Sequence, residues 1–195
     1  MSLVSSGMHC VRRTADCGNM PRTSRGFALI DLIFVCGIIG VLVGIAIPRL
    51  TAAKAAAGVA SAIGSLRAIS SAELTYALTC GNGFYAPSLT TLGTAPPGSN
   101  EPFIGQGLGA ADTVTKSGFN IRVSAAPFAG APASCNGTAA GDGGQGYRAA
   151  ADPASPDAAP RYFGSNASAL IYEHTTTLFA TMPEIGEPDT GHPYQ

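Results

Sequence analysis

The sequence predicts an α+β fold: a long bent N-terminal helix, its first half transmembrane, packed on a small antiparallel β-sheet head. Three observations predict it. Phe27–Ile47 is an apolar run of 21 residues whose only charge is Asp31. Alanine-rich, helix-forming sequence continues beyond Pro48 to about residue 79. After that, glycine- and proline-rich turns separate short alternating stretches, and such spacing favours antiparallel pairing.

The apolar run comes first in the argument. At about 1.5 Å per residue it reaches roughly 31 Å as a helix, enough to cross a bilayer core. A secretory signal peptide would have a shorter apolar region followed by a small-residue cleavage site. A plain membrane anchor explains the whole run except Asp31. Before Phe27 stand four basic residues, Arg12, Arg13, Arg22 and Arg25, and one acid, Asp16. From there on, seven basic and eleven acidic residues give a net charge of −4. By the positive-inside rule the leader is cytoplasmic and the remainder faces outward.

Pro48 ends the apolar run, and a proline at that point bends a helix that continues past it. In residues 49–79, Val59, Ile63, Leu66, Leu74 and Leu78 fall at helical steps and read as one apolar face. Arg49, Lys54, Arg67 and Glu73 read as the polar positions. Gly58 and Gly64 weaken the helix locally, and Cys80-Gly81-Asn82-Gly83 stops it. The organisation is therefore a basic leader 1–26, a transmembrane helix 27–48, its amphipathic continuation 49–80 and a head 81–195.

Within the head, Phe84–Gly109 reads as a surface loop with a short helix at Ser88–Leu92. Gly118–Ala125 alternates Phe119, Ile121 and Val123 as a half-buried strand. Gly146–Ala151, Arg161–Gly164 and Ala169–His174 are further strand candidates. Ala129–Gly146 is a Gly/Ala/Pro-rich excursion, and Met182–Gln195 reads as a mobile tail.

Composition narrows the function. Charged residues make up 12% and hydrophobic residues 46%, much of the latter alanine. Gly and Pro together supply 39 of 195 residues, which favours a loop-rich head over a dense helical enzyme. The net charge of −1 points to no nucleic-acid partner. Of five cysteines, Cys10 and Cys17 precede the apolar run and Cys36 lies inside it. Cys80 and Cys135 lie on the oxidising side and point to one disulfide, the alternative being two buried thiols.

The informative string is Arg25-Gly26-Phe27-Ala28-Leu29-Ile30-Asp31-Leu32, followed by the apolar run and Pro48. An acid in lipid costs about 2.5–3.5 kcal/mol on insertion scales, so Asp31 needs a partner. At these residues the sequence resembles the type IV pilin-like superfamily: type IV pilins, type II secretion pseudopilins and DNA-uptake pilins. The resemblance is close over Arg25–Arg49, where Gly26, Phe27, Leu29, Ile30 and Leu32 match and Ile38-Ile39-Gly40 and Pro48 fall in the family's register. Asp31 departs from it, since the family usually has Glu there; the carboxylate survives, one methylene shorter.

The resemblance implies cleavage between Gly26 and Phe27 by a prepilin peptidase, N-methylation of Phe27 and assembly of the helices into a filament core. The new amino group at Phe27 would pair with Asp31 of a neighbouring subunit and set its stagger. The implied partners are other copies or homologous pilin subunits, the peptidase, an inner-membrane platform and motor, and the lipid bilayer before assembly. The implied location is the bacterial inner membrane, then a periplasmic or cell-surface filament. A leader of 26 residues is long for the family, whereas a start at Met20 would give the seven-residue leader MPRTSRG; translation from Met20 is the expectation, and a type IVb-style long leader the alternative. Asn82-Gly83-Phe84-Tyr85-Ala86-Pro87 followed by Leu89 and Leu92 resembles, more loosely, the loop after the helix in pilin and major-pseudopilin heads.

The expected function is a structural subunit of a type IV pilus. The alternatives are a type II secretion pseudopilin and, from another class, an anchored binding domain that never polymerises. No enzyme, cofactor or metal is expected. Gly141–Gly146 satisfies GxGxxG, but a loop precedes it and a strand candidate follows, the wrong context for a dinucleotide. His9, His174 and His192 are isolated. Glu184, Glu187 and Asp189 cluster near the end of the chain; major pseudopilins bind calcium in a late loop, but a solvated acidic tail is the favoured reading here. Asn136-Gly-Thr138 and Asn166-Ala-Ser168 match the glycosylation acceptor pattern. No serine has the base and acid of a hydrolase pattern.

Overall fold

The computed structural model describes residues 25–155 and 161–194. The leader before Arg25, including Met20, lies outside the described residues. The chain divides into two units, Met1–Ile47 and Pro48–Gln195. Helix α1, Arg25–Thr79, supplies residues to both, with Pro48 inside it. Two short helices, α2 (Leu89–Leu92) and α3 (Gln106–Gly109), follow. Then come six strands: β1 (Thr113–Lys116), β2 (Phe119–Ser124), β3 (Arg148–Pro153), β4 (Tyr162–Asn166), β5 (Ile171–His174) and β6 (His192–Pro193). They form one sheet in chain order, every neighbouring pair antiparallel. The fold is α+β, a long apolar N-terminal helix followed by an open antiparallel sheet.

One core joins the second half of α1 to one face of this sheet. Val59, Leu66 and Ile69 of the helix cluster with Ile121, Ala149 and Phe163 of the strands. The alternation in β2 has its expected effect, with Phe119, Ile121 and Val123 buried. Of the expected helical face, Val59, Ile63 and Leu66 are buried, but its last turns differ. Leu74 and Leu78 are 54% and 76% exposed, while Ala62, Ile69, Ala72 and Tyr76 are buried. The buried stripe runs through alanines and a tyrosine, whose burial leucine spacing does not signal. Glu73, expected at a polar position, lies on the buried stripe and is 0% exposed.

The other face of the sheet is covered too. Tyr172, Leu178 and Met182 form a second small cluster. A Cβ on Gly164 of β4 would stand 3.1 Å from Leu178 Cβ, so glycine is what lets this segment lie on the strand. Arg122 and Arg148, on adjacent strands, both approach the ring of Phe179 at 4.3 and 5.6 Å from its centroid. Arg122 also pairs with Asp152.

Residues 182–194 are therefore not a free tail. Met182 is buried, His192–Pro193 pairs with β5, the Tyr194 amide donates to the Ile171 carbonyl at 2.8 Å, and its ring meets Phe163 edge-on. Edge strand β1 had no counterpart in the sequence reading. It is mostly exposed and joins β2 through a two-residue turn, Ser117 at φ 51° and Gly118 at φ 85°.

The loop after α1 is ordered by α2 and α3. The Ser88 hydroxyl accepts from the Thr91 amide and caps α2. The two helices touch at Gly93 and Gly109, where a Cβ on Gly93 would lie 2.3 Å from the Gly109 carbonyl oxygen. Backbone cannot yield as a flexible side chain would, so Gly93→Ala is expected to cost about 1–3 kcal/mol. Gly64→Ala, at a helical site with nothing within 4 Å, should instead stabilise by about 0.5–1 kcal/mol. Thermal melts of the two variants check this pair, and equal shifts would contradict the packing argument.

Candidate functional site

The candidate site is the N-terminal half of α1. Every described side chain from Leu29 to Ala57 is exposed, large aliphatic residues included. A helix apolar all round has no face to turn to water. Each such side chain gains about 1.5–3 kcal/mol on leaving water, so the segment requires lipid or protein around it. It is one helix near the N-terminus long and apolar enough to span a membrane.

Asp31 sits in this exposed apolar helix. The helical assignment begins at Arg25, so the Gly26–Phe27 bond falls in its first turn. Pro48 lies within α1 and withholds the backbone donor that a helical residue there would offer. Two further features lie on the same helix. Gly40 and Gly44 are four residues apart and so share a face, with nothing within 4 Å of a Cβ built on either. That spacing lets two helices approach closely in an apolar medium. Cys36, in the same run, is an exposed free thiol.

In the head, Cys80 and Cys135 form a disulfide with Cα atoms 4.9 Å apart. It ties the end of α1 to the excursion before β3, and the Cys135 amide adds a hydrogen bond to the Cys80 carbonyl at 3.1 Å. Beside it, Glu73 Oε2 accepts from the Ala86 amide at 2.9 Å, while Glu73 Oε1 is buried without a partner. Burial pushes the Glu73 carboxyl up to about 8, opposed in part by the Ala86 hydrogen bond.

The remaining motifs resolve structurally. Gly141–Gly146 is a loop in which Gly144 bridges to Tyr85. Asn166 is 0% exposed, its amide nitrogen donating to the Pro183 and Gly186 carbonyls, so this acceptor pattern is sealed inside the fold. Asn136 donates to the Thr91 and Thr94 carbonyls. The Glu184 carboxylate accepts from the Ala126 amide at 2.5 Å. The His174 ring bonds the Thr176 hydroxyl. Among the described residues no three His, Cys, Asp or Glu side chains gather as a metal site.

No protein-family model matches the chain, and neither a curated protein nor a solved structure matches it significantly.

Proposed function

We propose that this chain is a pilin-like structural subunit, cleaved between Gly26 and Phe27 by a prepilin peptidase, N-methylated at Phe27 and polymerised through α1 into a type IV pilus-like surface filament. The observation that carries the reading is Asp31, the single charge of the apolar run Phe27–Ile47, five residues into the cleaved chain. A helix meant only to anchor gains nothing from a carboxylate that costs about 2.5–3.5 kcal/mol in lipid. A helix that packs against copies of itself can use that carboxylate once, against the new amino group of a neighbour, to fix the axial stagger. Gly40 and Gly44 supply a surface for the close approach that such packing needs. The apolar helix, the antiparallel sheet and the disulfide are compatible with a pilin-like subunit.

In this reading the subunit is held in the inner membrane with its N-terminus inside, and an assembly platform and motor extract it into the fibre. The head, closed by its disulfide, makes the outer surface. Electron microscopy of sheared surface fractions, with mass spectrometry of the fibres, is the test. Fibres containing a chain that begins at a methylated Phe27 are the expected result. Retention of the whole chain in the membrane, uncleaved and without fibres, would overturn it.

A further inference from the structure

We propose that Glu73 is a proton-dependent latch: in its neutral form it seats the segment Phe84–Leu92 on α1, and on ionising it releases that segment towards water. The inference concerns the head alone and stands whether or not the chain polymerises.

The geometry is that of a lock with one bolt. Glu73 projects from the last turns of α1 into the core and is wholly buried. Oε2 accepts from the amide of Ala86, three residues before α2. Ala86, Leu89 and Leu92 are each 0% exposed, so the segment's seat is apolar and depends on water staying out. Oε1 has no donor. An ionised carboxylate would thus sit in the core with one hydrogen bond and a bare oxygen, whereas the neutral acid is tolerated.

Among the described residues no cation pairs with Glu73. Among the described residues the ion pairs are Arg122–Asp152 and Arg161–Glu173, both elsewhere. The titratable group facing Glu73 is Tyr147, just before β3, whose ring lies 5.3 Å from that of Tyr85 in the loop. Burial pushes Tyr147 up to about 12, so it stays neutral through the range in question. Release would be local, because Cys80–Cys135 and the bridge from Tyr85 to Gly144 limit how far the segment can travel.

The sign follows from the raised value. The seated carboxyl titrates near 8 and the released one near 4.5. Seating is therefore fully favoured below about pH 4.5, weakens through the interval and is weakest above about pH 8. One proton is linked, so the opening equilibrium should rise by up to about tenfold per pH unit within that interval.

The test is hydrogen exchange on the full chain in detergent micelles with the disulfide intact, from pH 5 to 9, read as protection factors so that intrinsic exchange is removed. The amides of Ala86–Leu92 should lose protection with that slope and level off above about pH 8. Ile121 in β2 should not follow. Glu73→Gln keeps an acceptor for Ala86 without a charge to gain, and its profile should be flat. A flat wild-type profile would overturn the latch, as would the same slope in Glu73→Gln. If Ile121 followed with equal slope, the event would be unfolding of the head and the latch would be wrong. Should Glu73→Gln fail to fold, the wild-type comparison of Ala86 with Ile121 still decides.

Discussion

Asp31→Ala should leave the precursor cleaved and methylated while surface fibres disappear. In the proposed reading the peptidase would act at Gly26–Phe27, four residues earlier, and the variant retains that sequence. Assembly is another matter, because the subunit loses the carboxylate that would receive its neighbour's amino group. Removing one partner of a buried ion pair typically costs about 3–5 kcal/mol, much of it from the charge left uncompensated. Every 1.4 kcal/mol weakens association about tenfold, and a filament repeats the loss at every subunit. Asp31→Asn should fail likewise, since it keeps the shape and loses the charge. Asp31→Glu should assemble, with one methylene more of reach. Immunoblots for cleavage and microscopy of sheared fractions separate the two steps. Normal fibres from Asp31→Ala would refute the pairing argument.

The second large effect concerns the head. The double variant Cys80→Ala/Cys135→Ala should lose about 4 kcal/mol, the chain-entropy value for a closed loop of this length. In a domain of this size that corresponds to a fall in Tm of roughly 8–16 °C. Reduction of the wild type should reproduce most of the loss. A thermal melt in detergent, with and without reductant, measures both. A shift within about 2 °C would mean that the hydrogen bonds around Cys135 hold the loop without the covalent link.

The parts of this structure legible in the sequence are those where one residue type repeats with one period. The apolar run of α1 was visible because nothing interrupts it but Asp31. Strand β2 was visible because Phe119, Ile121 and Val123 alternate with polar residues. The buried face of α1 was harder. In an alanine-rich helix, Ala62, Ala72 and Ala77 line the core without any hydrophobic contrast, and the leucines that stand out, Leu74 and Leu78, face away. Glu73 could not have been placed inward from its own helix. Its burial depends on an amide 13 residues further along the chain. Strands β1 and β6 escaped for a related reason: both lie at sheet edges, one mostly exposed and the other two residues long with a proline. The acceptor pattern at Asn166 shows the limit of short motifs, since its side chain serves as an internal clasp for the segment 183–186.

Within the candidate site, the apolar run, Asp31 and Pro48 are legible in the sequence because they lie along one helix. The pairing of Gly40 with Gly44 on one face is legible from their spacing of four residues alone.

The order of the strands has a further consequence, for how the head comes into being. Each strand pairs with its neighbours in the chain, so each pairing can form as soon as its second strand is made. Both disulfide cysteines precede β3. The covalent closure can therefore form while β3 to β6 are still unmade, and it then offers them an edge already fixed at β2. Strand β6 comes last and sets Tyr194 against Phe163. A chain cut short before His192 would leave the edge of β5 bare, an open template for pairing with other chains.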